Sequence, residues 1–508
     1  MWPPVSDTPA SGAGPARAIP RLPGVSPTDS SADGAPAGFD LVVLGAGSGG
    51  YACALRAAEL GLRVAMVERD RVGGTCLHRG CIPTKALLHV AEVADTARDG
   101  AELGVRSNFD GVDLGTAVGF ADRVVGRLYA GLTGLVDRRG IEVVAGVGRL
   151  VGSGAGTPAV EVTAANGTST PLVAPHVVLA TGSAAVSLPG VSVDGERILT
   201  SDQALRLTEV PGHAVVLGGG VVGVEFASMW ASMGAAVTIV EALDRLLPAE
   251  DPASSKALQR AWRPRGIDVR TGARVQEVTT GPDGVTVRVE GDEDPIEGDL
   301  VLVAVGRRPV VDGLGLDEAG VVTGRAGVVV DERLATSVPG VWAVGDLVPG
   351  LQLAHRGFAH GINVAERIAA VLGGTPEPPP VPADEFVPRV TYSDPEVASV
   401  GLTRADANER FGAEAVSAFS YPLGANGRSL VLGTSGQVTL VRVVDGPIVG
   451  VHAVGARVGE LMGEATLMVG WEAHPEDVAP FVHAHPTQSE ALGEAALALA
   501  GKPLHVHG

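Results

Sequence analysis

Phe39-Asp40-Leu41-Val42-Val43-Leu44, followed at once by Gly45-Ala46-Gly47-Ser48-Gly49-Gly50, is the stretch that decides the fold of this chain. A short, mostly apolar strand runs into a glycine loop. Residues 51–60 then read as a helix that Gly61 ends, and Leu62-Arg63-Val64-Ala65-Met66-Val67 reads as a second strand closed by Glu68. Gly45 allows the tight turn, Gly47 lets backbone approach a pyrophosphate, and Gly50 lets the helix pack closely. Glu68, 23 residues beyond Gly45, is placed to accept from a ribose hydroxyl. A glycine triplet alone is weak, but strand, helix, second strand and acid together predict a dinucleotide site.

The unit then repeats. His213-Ala214-Val215-Val216-Leu217 runs into Gly218-Gly219-Gly220-Val221-Val222-Gly223, and an apolar helix reaches Met233 and Gly234. Ala236-Val237-Thr238-Ile239-Val240 ends at Glu241, again 23 residues after the first glycine. Glu241 suits a free 2′-hydroxyl and repels a 2′-phosphate, which favours NAD over NADP. Arg245, four residues on, leaves that preference open.

Three further segments end strands against glycine: Val177 to Ser183, Leu300 to Pro309 through Gly306, and Gly340-Val341-Trp342-Ala343-Val344-Gly345-Asp346. Together they predict an α/β chain with two Rossmann-like domains, the second inserted in the first. Asp346, after a strand end, would be free to bind a sugar or ribityl hydroxyl. The expected parts are 38–189 for the first domain, 190–308 for the inserted one, and 309–382 for the completion of the first. Five prolines between residues 373 and 382 read as a stiff linker. Beyond it, residues 438–444 and 448–454 around Asp445-Gly446 read as an antiparallel hairpin, with a helix near 460–469. Residues 383–508 are expected to form a separate α+β domain.

The totals narrow the function. A net charge of −20 argues against nucleic acid, and no apolar run approaches the roughly 20 residues of a membrane span. Residues 1–37, rich in Pro, Ala, Gly and Ser, read as a disordered extension without signal or transit character. Three cysteines in 508 residues make no secreted disulfide framework, and the chain reads as cytoplasmic.

Two of those cysteines sit in Gly73-Gly74-Thr75-Cys76-Leu77-His78-Arg79-Gly80-Cys81-Ile82-Pro83-Thr84-Lys85, at what reads as a helix start. A regular helix holds positions i and i+5 about 8.7 Å apart at Cα, whereas a disulfide needs about 4.4–6.8 Å. If Cys76 and Cys81 pair, the first turn must be distorted, and Gly80 is the residue that permits it. A helix start favours a thiolate, so the pair reads as redox-active. The bland alternative is two unpaired core cysteines; Cys53, on the first helix, reads as buried packing. Near the C-terminus, His483-Ala484-His485-Pro486-Thr487-Gln488-Ser489-Glu490 precedes an Ala/Leu helix. Glu490 could orient one imidazole nitrogen while the other faces a substrate, or the run is a solvated loop capping a helix.

These motifs, in this order over residues 38 to 500, resemble the dihydrolipoamide dehydrogenases, flavin-dependent pyridine nucleotide–disulfide oxidoreductases. The resemblance implies FAD at the first fingerprint, NAD at the second, a C-terminal dimerisation domain, and a homodimer that oxidises dihydrolipoamide beside a lipoyl-bearing acyltransferase of a 2-oxo-acid dehydrogenase complex. It implies a Cys76–Cys81 disulfide in which Cys76 exchanges with substrate and Cys81 faces the flavin. Lys85 and Glu225 match the ion pair beside the flavin. His485 matches the base, with Glu490 its partner, acting on the other subunit. Gly45, Gly47, Gly50, Glu68, Gly74, Thr75, Lys85, Gly146, Thr181, Gly182, Ser183, Asp346, Leu353, Ala354 and His355 match FAD contacts. Gly218, Gly220, Gly223, Glu241, Val275 and Gly306 match NAD contacts. His78 and Arg79 replace the commoner Asn-Val, and Gln488 the commoner Leu; a neutral surface role is expected for His78. The rival on the same scaffold is an NADPH-dependent reductase of small disulfides.

Overall fold

The computed structural model describes residues 38–152 and 156–506; the expected extension over 1–37 lies outside the described residues. Its first sheet is wholly parallel, ordered Val341–Ala343, His176–Leu179, Leu41–Leu44, Val64–Glu68, Glu142–Ala145. Leu41 to Leu44 are buried on both faces, as a strand between two layers must be. Helix α1, Ser48–Glu59, starts three residues earlier than the sequence suggests, because Gly49 and Gly50 enter its first turn.

The cysteines lie on two helices, not in one distorted turn. Helix α2 is Gly74–Arg79, Gly80 breaks the chain direction, and α3 begins at Cys81 and runs to Asp99. A side chain at residue 80 would meet Thr75 O at 3.1 Å and the Cys76 Cα at 3.4 Å, so glycine is what lets the helices abut. Helix α4, Leu114–Arg138, packs along α3.

The second sheet is also parallel, ordered Asp268–Thr271, Ala236–Glu241, His213–Leu217, Leu300–Val303, Ile198–Leu199. Its helix α5, Val221–Met233, is buried on nearly every side. Phe226 and Trp230 of α5 share one core with Leu87 and Ala91 of α3, which lays the cysteine-bearing helix against the second unit. Each sheet carries a three-stranded antiparallel flap: Val147–Val151, Ala159–Thr163, Ser169–Val173 on the first, and Val275–Thr280, Val285–Val289, Ile296–Gly298 on the second.

Where the chain leaves and re-enters the first unit, Ser183–Ala185 pairs antiparallel with Arg307–Pro309. Val341–Ala343 then joins the first sheet, completing the interrupted unit. Helix α6, Ala354–Val371, lies on α1 so closely that a Cβ on Gly361 would sit 2.2 Å from Gly49 O. The proline-rich segment is no free spacer. Arg367 on α6 grips Glu377 at 2.6 Å, and Asn363 donates to Pro379 O at 2.7 Å.

The third sheet is antiparallel: Arg389–Thr391, Glu396–Gly401, Ile448–Gly455, Gln437–Val443, Val416–Pro422. The hairpin turns at Asp445, whose φ is +55°. The short helix α7, Gly427–Val431, lies beside residues 423–425, and α8, Met462–Gly470, and α9, Glu490–Leu499, cover the sheet. Among the described residues, no helix is long and apolar enough to cross a membrane.

Candidate active site

Cys76 and Cys81 form a disulfide with 4.7 Å between Cα atoms. Both are half-buried. Cys81 is the first residue of a 19-residue helix that has no side-chain cap. The unpaired N–H groups there favour negative charge on its sulfur, and the 19-residue α3 does so more than the six-residue α2, whose uncapped first turn holds Cys76. Cys53 is fully buried, and burial pushes its thiol up to about 12, which leaves it inert.

One turn along α3, Lys85 Nζ lies 2.8 Å from both carboxylate oxygens of Glu225, which is 3 % exposed on α5. A third part of the chain closes this pair. Tyr392 donates its backbone N–H to Glu225 Oε1 at 3.0 Å, and its ring lies 4.8 Å from Lys85 Nζ. Next to it, Asp394 donates its N–H to Ser228 Oγ on α5. A buried carboxylate needs such a set of partners to stay charged. The role of Tyr392 has no signature in the sequence, since it stands 167 residues from Glu225.

The two glycine loops have the shape a pyrophosphate requires. Gly45 and Gly218 have φ of +102° and +107°. A Cβ on Gly50 or Gly223 would sit 1.9 Å from the carbonyl of Gly45 or Gly218. Gly47 and Gly220 face open space. They cap α1 and α5 without side-chain bonds, leaving the first N–H groups outward. Glu68 accepts from Ala46 N at 2.8 Å, and Glu241 from Gly219 N at 2.5 Å, so each acid also fastens its loop. Arg245 donates to Asp244 at 3.1 Å and to Pro248 O at 3.0 Å.

Around the first loop, Gly74 approaches Gly47 so closely that a Cβ would meet its Cα at 2.6 Å, and Thr75 follows on α2. Gly146 leaves the sheet beside Glu68, whose carbonyl accepts its N–H at 2.9 Å. Asp346 is not free as expected. Its Oδ2 accepts from Ser183 Oγ at 2.6 Å, because the strand after Gly182 folds back against it. Arg307 holds the same serine through Nε at 2.8 Å, and Thr181 donates to Val310 O. Leu353 caps α6, whose N-terminus, with Ala354, lies beside that of α1; His355 bonds Pro388 O at 2.7 Å. His360, driven down to about 4 chiefly by burial and then by Arg356, is a neutral acceptor for Gly345 N–H. These open glycines, uncapped helix ends and hydroxyl-binding groups fit a flavin dinucleotide. On the second unit, Val275 opens the flap and Gly306 follows the last strand, with φ of +123°.

His485 Nδ1 lies 2.8 Å from Glu490 Oε1, and Thr487 N–H donates to Oε2 at 2.8 Å. Burial raises the Glu490 carboxyl, but the bonds from Thr487 and His485 outweigh it and leave it below the usual glutamate range. The His485 side chain is 77 % exposed. Among the described residues, no hydrogen bond joins it to the cysteine helices. His483 pairs with Glu464 of α8 at 2.8 Å, a bond that raises its imidazole above the ordinary value against the effect of burial.

His78 is not at the surface. It is 2 % exposed, bonded through Nε2 to Val72 O at 2.8 Å and set edge-on to Tyr129 of α4. Burial lowers its affinity for protons, so it brings no charge to the sulfurs. Arg79 bridges Asp70 at 3.4 Å and Asp202 at 3.8 Å.

Known proteins share this arrangement. The profile of the pyridine nucleotide-disulphide oxidoreductases matches residues 39–361, and that of their dimerisation domain matches 387–496. Dihydrolipoyl dehydrogenase of Bacillus subtilis (strain 168) is 39 % identical over 478 residues, which cover 92 % of this chain and 99 % of that protein. The mitochondrial dihydrolipoyl dehydrogenase of Pisum sativum is 38 % identical over 476 residues, covering 92 % of each. Among solved structures, LpdA of Mycobacterium tuberculosis superposes with a TM-score of 0.83 at 28 % identity, covering 90 % of this chain and 99 % of that one. With its paired cysteines, two dinucleotide units and a dimerisation domain, this chain belongs to the pyridine nucleotide-disulphide oxidoreductase family.

Proposed function

We propose that the protein is the enzyme that oxidises dihydrolipoamide to lipoamide with NAD⁺ as acceptor and FAD as the resident redox group. The observation that carries this reading is the Cys76–Cys81 disulfide at the start of α3, one turn from Lys85–Glu225. In the first step His485, held by Glu490, removes a proton from one substrate thiol. The thiolate attacks Cys76 Sγ, which breaks the Cys76–Cys81 bond and leaves the electron pair on Cys81. The second substrate thiol displaces Cys76 from the mixed disulfide and its proton passes to the departing sulfur, so lipoamide leaves with a ring S–S bond, Cys76 as a thiol and Cys81 as a thiolate. The helix start holds the Cys81 thiolate. FAD, when bound beside Lys85–Glu225, would supply the two-electron chemistry that links the dithiol to NAD⁺.

The chain's residues divide accordingly. Gly45, Gly47, Gly50, Glu68, Gly74, Thr75, Gly146, Thr181, Gly182, Ser183, Asp346 and the start of α6 would hold FAD, with Lys85–Glu225 at its reacting end. Gly218, Gly220, Gly223, Glu241, Val275 and Gly306 would hold NAD⁺. The dimerisation domain supports a homodimer in which His485 serves the partner's cysteines. A lipoyl-bearing acyltransferase as the physiological partner, and the cytoplasm as the place, complete the reading. Glu241 stands against the NADPH-dependent rival.

The test is steady-state turnover of the purified yellow protein. Dihydrolipoamide should reduce NAD⁺ at least tenfold faster than NADP⁺, from the charge repulsion at Glu241, and Cys81→Ser should abolish it. Faster NADPH-driven reduction of small disulfides would replace this reading with the rival.

A further inference from the structure

His485 is mostly exposed, so its aim depends on the Glu490 bond and on the loop that carries both. That loop has a buried tether that the chemistry above does not call for. Gln488, 9 % exposed, accepts from Ser429 Oγ at 2.6 Å and donates from Nε2 to Ala456 O at 2.8 Å. Ser429 is wholly buried on α7. Asn426, the cap of that helix, accepts from Ser429 N at 2.9 Å and donates from Nδ2 to Thr487 O at 3.0 Å. Thr487 in turn donates to Glu490, whose other oxygen holds His485. A run of directional bonds therefore leads from α7 to the imidazole.

We propose that Ser429 and Gln488 are a matched pair of positioning residues that set the orientation of His485. The proposal rests on the reading of His485 as the base. A hydroxyl and an amide buried together gain little stability over two apolar side chains of similar size. They differ from such a pair in fixing direction, since apolar contacts let a loop slide. Removing one partner leaves the other buried and unsatisfied, and the loop must shift to find water or a new donor.

The experiment compares wild type, Ser429→Ala, Gln488→Leu, the double variant, and His485→Gln. Each is assayed for NAD⁺ reduction by dihydrolipoamide and for NADH-driven reduction of 2,6-dichlorophenolindophenol, which needs no thiol substrate. Each single variant should lower kcat for dihydrolipoamide about tenfold, as a misplaced catalytic group does, with dye reduction and the NAD⁺ KM unchanged. The double variant should recover to within about threefold of wild type, because Ser429 Oγ and Gln488 Oε1 leave together and only Ala456 O loses its donor. Full kcat in the single variants, a parallel fall in dye reduction, or a double variant no better than the singles overturns the proposal. His485→Gln separates the two layers. Retained dihydrolipoamide turnover there removes the base assignment itself. An inactive His485→Gln beside unaffected single variants removes only the Ser429–Gln488 pair.

Discussion

The two nucleotide units are nearly the same object built twice, yet their surroundings differ. In both, a Cβ on the first glycine would meet a strand-end carbonyl, Ala180 O or Ala304 O, at 2.5 Å. In both, the acid fastens two backbone N–H groups, Ala46 and Asp70 for Glu68, Gly219 and Leu243 for Glu241. Around the first loop, α6 presses on α1 through Gly357 and Gly361, and Gly74 closes on Gly47. The second loop is met instead by Leu246, whose Cδ2 a Cβ on Gly219 would approach to 2.6 Å, while Val221, the first residue of α5, is 43 % exposed. Two further helices wall the first loop and one loop segment meets the second, which accords with the proposed division between a resident group and an exchanging one.

That contrast can be broken at either loop. The largest effect is expected from Gly50→Ala, whose Cβ would collide with Gly45 O and cost about 3 kcal/mol as backbone overpacking. The purified protein should lack visible flavin absorbance. Gly223→Ala makes the same collision in the second unit and should spare the flavin. Its NAD⁺ KM should rise about a hundredfold, measured beside flavin content in the same preparation. A yellow Gly50→Ala or a colourless Gly223→Ala would reverse the assignment of the loops.

A smaller effect sharpens the second unit alone. Glu241→Ser should raise the NAD⁺ KM about tenfold through loss of charged hydrogen bonds and narrow the preference over NADP⁺. Kinetics with both acceptors read this directly.

The smallest effect belongs to the first unit and depends on pH. His360, lowered to about 4 when folded against 6.5 when free, contributes stability that is whole above about 6.5 and is lost as pH falls towards 4. Over that window the loss is about 2 kcal/mol after allowance for residual solvation. Acidification should therefore loosen flavin, and His360→Gln, still an acceptor for Gly345 N–H, should flatten the acid limb of a flavin-release titration.

Sequence reading found what local backbone demands. The glycine turns, the acids at fixed offset and the hairpin at Asp445 are set by short-range geometry, whereas the Cys76–Cys81 pairing is implied only by the resemblance. It missed what depends on distant packing. His78 is buried because α4, some 50 residues later, lays Tyr129 on it. Asp346 is engaged because a strand returns to Ser183, and the proline-rich segment is held by α6 side chains. Gly80 marked a break in the helix, but whether two helices or one bent turn resulted could be decided only by their packing. Tyr392 closes on Lys85–Glu225 from a third sheet, a meeting that no periodicity records.

The proposed action of His485 on the cysteines of the partner subunit can be measured by subunit exchange. Cys76→Ser and His485→Gln homodimers should each be nearly inactive with dihydrolipoamide. After mixing and reassociation, half of the dimers pair one intact disulfide with one intact base, and activity should return to about a quarter of wild type in a two-fold symmetric enzyme. A mixture no more active than its separate components, under conditions where exchange is shown by mass, would rule out catalysis across the subunit interface.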